Sequence, residues 1–444
     1  MMNLLEAPSS NGTGTVLIMR MAPTPRVVFI SPLDAEAEQV KFWLHDDYVI
    51  GGMIARRIGA VMLLLEDRYF GQSSPYQQLT TENMKYYTED QMMRDKCQAG
   101  QGALGSHRML GTGKSSLVHA ETVSRYFDAA EAYLPKNCTA DVEKVIEHLD
   151  SVMLNGSADE IQQVKEDFGA PDLKHNDDFM NLLNYGPQTY QGASLRIYDT
   201  WEFCDYVENA VGVTDKSKLP GSGGVGLEKA LEGYGRWTKE VYIPGKCEDQ
   251  GLWKGVNNTG CFNFGDADSL VYANKTLASS GIAETLQLQW LLCNEPEEYW
   301  QTGSPEGTPT LVSRLVNREY FRKTCAHYFP PGPNGETYGL AEGKTTESWN
   351  AHYGGWSDPS AYVKRTVLVD GLYDPWRAAG FSSSQRPGGV LGNSTYIKHF
   401  LNPLGNHCTD TYRNAGTIWP EVKAIQEAGI DQIVKWVAEF PKNK

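Results

Sequence analysis

The stretch Thr366-Val367-Leu368-Val369-Asp370-Gly371-Leu372-Tyr373-Asp374-Pro375-Trp376-Arg377 decides the fold. Its opening residues form a short apolar run without a helical stripe, the pattern of a buried strand. Just past that strand comes an acid, Asp374. A second run, Thr395 to Phe400, reads as another strand. The loop after it carries Gly405-Asn406-His407-Cys408-Thr409-Asp410. An acid after one late strand and an imidazole after the next, 33 residues on, form a spacing with chemical meaning.

A catalytic acid must hold an imidazole in the right tautomer and stabilise its imidazolium, while the imidazole reaches a serine hydroxyl. Both groups belong on loops at the carboxyl ends of strands, where a rigid sheet fixes them. The α/β-hydrolase layout has this chain order: Ser, then Asp, then His. The plain alternative is that Asp374-Pro375 starts a turn and that His407 is an ordinary loop histidine. Of the nine histidines, His407 alone stands in this strand–loop context near the C-terminus. His148 falls within a predicted helix and is expected to face solvent.

Working outward, Val27 to Ile30 and Gly59 to Leu65 read as further buried strands. The second runs into Glu66-Asp67-Arg68-Tyr69-Phe70-Gly71, as a central parallel strand does at the functional edge of a sheet. From Cys97 to Lys114 five glycines occur with neither helical nor strand periodicity. Helices then dominate. Thr139 is a candidate cap for an apolar face of Val142, Val145, Ile146, Leu149 and Val152. Ser157 and Glu160 predict a capping box. Leu227, Leu231 and Tyr234 continue the helical character after the Gly/Pro-rich loop Pro220 to Gly226. A closing helix is predicted with Asp431 as cap and with Ile433, Trp436, Val437 and Phe440 facing inward. The expected architecture is an α/β-hydrolase sheet, residues 1–129 and 311–444, with a helical cap inserted at 130–310.

At 444 residues the chain exceeds the size at which one core stops growing. A formal charge of -15 argues against nucleic acid. It is compatible with an acidic compartment, where protonation relieves self-repulsion. The 23 Tyr, 14 Phe and 11 Trp suit apolar recognition pockets, though most aromatic side chains pack in cores. The longest apolar stretch, Ala60 to Leu65, is too short for a bilayer. Thr15 to Met19 is cut off by Arg20 before a signal-peptide core forms. Six N-x-S/T sequons (Asn11, Asn137, Asn155, Asn257, Asn274, Asn393) nevertheless fit a secreted or vacuolar/lysosomal protein. So do eight cysteines without C-x-x-C spacing, which favour disulfides over zinc or redox motifs. No metal or cofactor motif is present in the sequence.

The segments LLEDRYFGQSSPY (64–76), LLCNEPEEYWQTGSPEGT (291–308), GLYDPWR (371–377) and GNHCTD (405–410) resemble the prolyl-specific serine carboxypeptidase family. That family includes lysosomal Pro-Xaa carboxypeptidase, the dipeptidyl peptidase II type and the fungal acid prolyl endopeptidases, and the fungal branch looks closest. The resemblance covers about residues 27–96 and 126–444. It implies a Ser-Asp-His peptidase acting on proline-containing peptides, with Asp374 as acid and His407 as base. It does not choose among carboxypeptidase, dipeptidyl peptidase and endopeptidase. Asp67 stands where the family's first motif usually has His. Glu295, Tyr299 and Trp300 fall where the family's cap closes over substrate, which makes them candidate recognition residues, with structural packing the competing role.

The family's nucleophile lies in a G-G-S-Y-[SG]-G elbow, and no G-x-S-x-G occurs anywhere in this chain. The nearest string, Gly113-Lys114-Ser115-Ser116, has only Met109 and Leu110 as apolar lead-in. The same string is no P-loop, because Arg108 occupies the first glycine position. The expectation is that residues 97–125 are not the family's sequence, that the nucleophile-elbow region is missing or corrupted, and that this polypeptide is inactive. A non-catalytic relative that binds peptides or a partner is the alternative.

Overall fold

The computed structural model describes residues 4–8, 15–19, 27–31, 48–95, 109–113, 125–192, 199–273, 275–277, 282–295, 302–358 and 364–439. Contacts divide the chain into two units: Met1–Ala120, Lys275–Glu297 and Phe329–Lys444 form the first, Glu121–Asn274 and Glu298–Tyr328 the second.

The first unit holds the strands. Five of them, β1 (Leu4–Pro8), β2 (Thr15–Met19), β3 (Val27–Ser31), β4 (Val61–Leu65) and β5 (Met109–Gly113), pair in the order β1-β2-β4-β3-β5. β1 and β2 join antiparallel, and β3 lies parallel to both β4 and β5. Helix α1 (Ile50–Ile58) makes the crossover from β3 to β4 that a parallel pair requires. Gly59 ends α1 in the left-handed region at φ 64, so the run read as a strand from Gly59 onward starts pairing only at Val61. One expectation needs correction: Met109–Gly113, within the stretch read as unpatterned, is a strand. Ladder bonds are main-chain bonds, which Gly111 and Gly113 can make without any side-chain alternation.

Later in the same unit, β6 (Thr366–Gly371) and β7 (Ile397–Asn402) pair parallel, Thr366 opposite Ile397 and Gly371 opposite Asn402. A closing helix spans Pro420–Glu439. Asp431 is therefore no cap. It lies mid-helix on an exposed face and pairs with Arg57 of α1 at 2.6 Å. The opposite face carries Ile430, Ile433, Val434 and Val437 against Val49, Ile54, Ala55, Ile58 and Met62. Trp436 is buried as expected, and Phe440 lies outside the described residues. The architecture is that of the expected α/β-hydrolase class, mostly helical with a small parallel sheet.

The second unit is helical. Its first long helix, α2 (Lys136–Asn155), buries Val142, Val145, Ile146, Leu149 and Met153. Thr139 does not cap it. Pro135, whose φ is fixed by its ring, occupies the N-cap position, and Thr139 is buried one turn inside with its hydroxyl donating to the Lys136 carbonyl. His148 is half-buried rather than solvent-facing. The Ser157–Glu160 capping box forms as read and starts α3 (Ala158–Asp167). Disulfides Cys138–Cys204 and Cys247–Cys261 brace this unit. Much of the aromatic excess goes into its core, where Phe203, Tyr234 and Trp237 are fully buried edge to face. Among the described residues no helix is long and apolar enough to cross a membrane.

Candidate active site

Pairing of β6 with β7 brings the two following loops together. Leu372 N–H donates to Asn402 O and Tyr373 N–H to Gly405 O, so the ladder extends past the strand ends. Gly371 is what lets them approach: a Cβ there would lie 2.6 Å from Gly405 O and 2.7 Å from Asn406 O. Asp374 then turns the chain. Its Oδ1 accepts from Trp376 N–H at 2.9 Å, and Pro375 opens a 3-10 turn to Ala379. Across the gap, His407 N–H donates to Asn406 Oδ1 at 2.8 Å.

These two loops put His407 Nδ1 3.0 Å from Asp374 Oδ2 and 3.2 Å from Oδ1. The side chains are 20% and 12% exposed, so the pair is shielded but reachable. With Nδ1–H donating to the carboxylate, Nε2 is the nitrogen left to take up a proton. Burial pulls the imidazole's pKa down. Hydrogen bonds to Asp374 and Cys408, and their charge, outweigh that and lift it to about 10. The carboxylate thus favours the imidazolium, the form a base acquires when it accepts a serine proton.

Three neighbours were not singled out from the sequence. His399 Nε2 lies 2.9 Å from Asp370 Oδ2, a second Asp–His pair on the strands themselves, with side chains 5% and 13% exposed. Register explains it: Leu368 faces His399, so Asp370 is its diagonal neighbour on the same sheet face. Alternation along two paired strands is the signal that would have found it. Asp410 is the third, and burial chiefly pushes its carboxyl up to about 7, with Asp370 and Asp374 adding repulsion.

The first motif is built into the end of β4. Glu66 accepts from the Ser73 hydroxyl at 2.6 Å and from its N–H at 2.9 Å. Arg68 holds Asp95 with two bonds, 2.6 and 2.8 Å, and Asp67 is buried. Tyr69 takes φ 70, a rare conformation for a bulky side chain, and Gln287 donates to its carbonyl at 2.6 Å. Glu295 is buried beside Asn294 and 3.7 Å from Lys344, and burial chiefly raises its pKa. Tyr299, Trp300, Arg108, Lys114, Ser115 and Ser116 lie outside the described residues. β5 ends at Gly113, two positions before Ser115.

A family model for serine carboxypeptidase S28 matches residues 23–108 and 236–427, more than half of the chain. The chain belongs to the serine carboxypeptidase S28 family. Both Asp374 and His407 fall in the second matched segment of the S28 model, as do β6 and β7. Two proteins of Bipolaris victoriae, serine proteases vicPb and vicPa, are each 29% identical to it. The alignments cover 94% and 95% of this chain and 83% and 84% of those proteins. A probable extracellular serine carboxypeptidase of Arthroderma benhamiae is 20% identical over 88% of this chain and 58% of its own length. As an S28 member the chain is a serine-peptidase relative, a hydrolase by family.

Proposed function

We propose that the authentic product of this sequence hydrolyses peptide bonds after proline in peptide substrates, with a serine nucleophile, His407 as general base and Asp374 as its orienting acid. The observation that carries this is the 3.0 Å contact between His407 Nδ1 and Asp374 on adjoining loops past two parallel strands. Serine attack on the carbonyl would pass its proton to His407 Nε2, and the same imidazolium would protonate the leaving amine to give an acyl-enzyme. The helical insertion of residues 130–310 would serve as the cap, and Glu295, Tyr299 and Trp300 as recognition residues. The product is read as secreted or vacuolar/lysosomal, in line with the extracellular description of the Arthroderma relative.

The present polypeptide is expected to turn over negligibly. It has no G-x-S-x-G, and losing the nucleophile of such a triad costs about six orders of magnitude in turnover. The family match runs through residue 108 and resumes at 236, so residues 97–108 are family sequence and the segment in question narrows to 109–125. The vicPb alignment runs over 462 positions, more than the chain has residues, so stretches of that relative have no counterpart here. Genomic DNA around codons 109–125 tests this: a neighbouring exon or alternative frame should encode a serine elbow, and its absence would defeat the reading.

The second reading, a non-catalytic peptide binder, rests on the same missing serine. A fluorophosphonate probe on native protein, followed by a Pro-containing chromogenic peptide set against a nitrophenyl ester, separates the two. Labelling with peptide turnover supports the peptidase. A folded protein that binds such peptides and never labels supports the binder.

A further inference from the structure

The sequons can be sorted by what each asparagine does in the fold. Asn11 and Asn274 lie outside the described residues, and the other four differ sharply. Asn155, the last residue of α2, is exposed, and its Nδ2 makes only a 3.3 Å bond to the exposed Ser151 carbonyl, which water can replace. Asn257 is exposed at the third position of a turn closed by Asn258 N–H to Gly255 O. That turn protrudes within the loop closed by Cys247–Cys261. Asn393 is exposed too, and its Oδ1 accepts from His399 N–H at 2.8 Å. That bond uses the amide oxygen and leaves Nδ2 out of it.

Asn137 is the contrast. It is half-buried, next to the Cys138–Cys204 disulfide, and its Nδ2 donates at 2.9 Å to Glu208 Oε2. Glu208 is only 4% exposed, so no water stands ready to replace that donor.

A second observation points the same way. Leu154, beside Asn155, is 65% exposed, and Val256, beside Asn257, is 54% exposed. Val390 and Tyr396 are exposed on either side of Asn393. Asn155 and Asn257 thus each follow directly on an apolar side chain left in water, and Asn393 has one three positions away on either side, all of which a hydrated sugar would cover.

We propose that Asn155, Asn257 and Asn393 carry N-linked glycans that shield these apolar residues, and that Asn137 stays bare. The proposal rests on the export reading but not on the peptidase one. In the transfer, Nδ2 attacks the anomeric carbon of a lipid-linked oligosaccharide, losing one proton. A C–N bond forms, the C–O bond to the lipid diphosphate breaks, and that diphosphate leaves.

The test is the full chain directed through a yeast secretory pathway by a cleavable heterologous leader, so that entry to the pathway is supplied whatever the native address. Enzymatic glycan release in ¹⁸O-water, followed by peptide mapping, marks every occupied asparagine as labelled Asp. Label at positions 155, 257 and 393 with none at 137 is expected. Label at 137, or an unlabelled asparagine at any of the other three, overturns the proposal. Enzymatic deglycosylation of the folded protein should then raise binding of an apolar fluorescent dye several-fold, and unchanged dye binding would refute the shielding role.

Discussion

The end of β6–β7 and the end of β5 should be equivalent workplaces on one hydrolase fold, yet they differ in kind. Past β6 and β7 the loops are locked by main-chain bonds, a glycine that alone permits the approach, and an acid that both turns the chain and holds the imidazole. Past β5 the residues Lys114-Ser115-Ser116 offer no G-x-S-x-G pattern. A strand can be specified by main-chain pairing alone, whereas a reactive group needs particular residues at particular turns. The S28 family match includes β6 and β7, while β5 and the helices that follow it fall in the unmatched stretch 109–235.

The largest effect would come from repairing the weaker end. Replacing residues 109–125 with the corresponding segment of a catalytically competent S28 relative should raise turnover of a Pro-containing peptide by about five to six orders of magnitude. In that repaired protein His407→Ala should remove about as much again, while Asp374→Asn should cost about 10⁴ in kcat, measured by steady-state kinetics. Equal, small losses from both would mean the Asp–His pair is merely structural.

A middle-sized effect concerns pH. Burial raises the carboxyls of Asp178 to about 6 and of Glu208 and Asp410 to about 7. A raised acid keeps its proton longer in the folded state than in the unfolded one. Stability is therefore highest below the unfolded carboxyl range and falls as pH climbs through the folded values. His407 acts in the same direction: its contribution is full below its unfolded value and is lost as pH rises through about 10. Asp266, held low by His175, Lys174 and Asn263, opposes them by losing its contribution as pH falls. The melting temperature should peak at about pH 4–5 and decline towards pH 8. Asp410→Asn should flatten the decline between about pH 4 and 7. A melting temperature that rises steadily from pH 5 to 8 would contradict this.

Smaller still, Leu149→Ala in the α2 core should cost about 2–5 kcal/mol in chemical denaturation. Asp431→Asn, which removes an exposed ion pair with Arg57, should leave the melting temperature unchanged within error.

What could be read in advance follows the same division. β3, β4, β6 and β7 are legible as strands because short apolar runs mark them, although β6 proves only half-buried, and the Asp374–His407 contact is legible because both residues sit just past such runs. The Ser157–Glu160 box was legible because its two residues satisfy each other locally. β5 was not, since its glycines pair through the main chain without a side-chain pattern. Thr139 and Asp431 do not cap their helices, because Pro135 and Pro420 start those helices before either polar side chain is reached. The Asp370–His399 pair depends on the register between two strands, which neither strand states alone.

The central claim is that the Asp374 carboxylate governs the His407 imidazole, and histidine NMR titration of the folded chain reads this directly, with no nucleophile needed. In the unmodified chain His407 should titrate above the ordinary imidazole value, and Asp374→Asn should bring its titration down by more than one pH unit. A His407 that titrates at its ordinary value in both proteins would show that the two side chains do not act together.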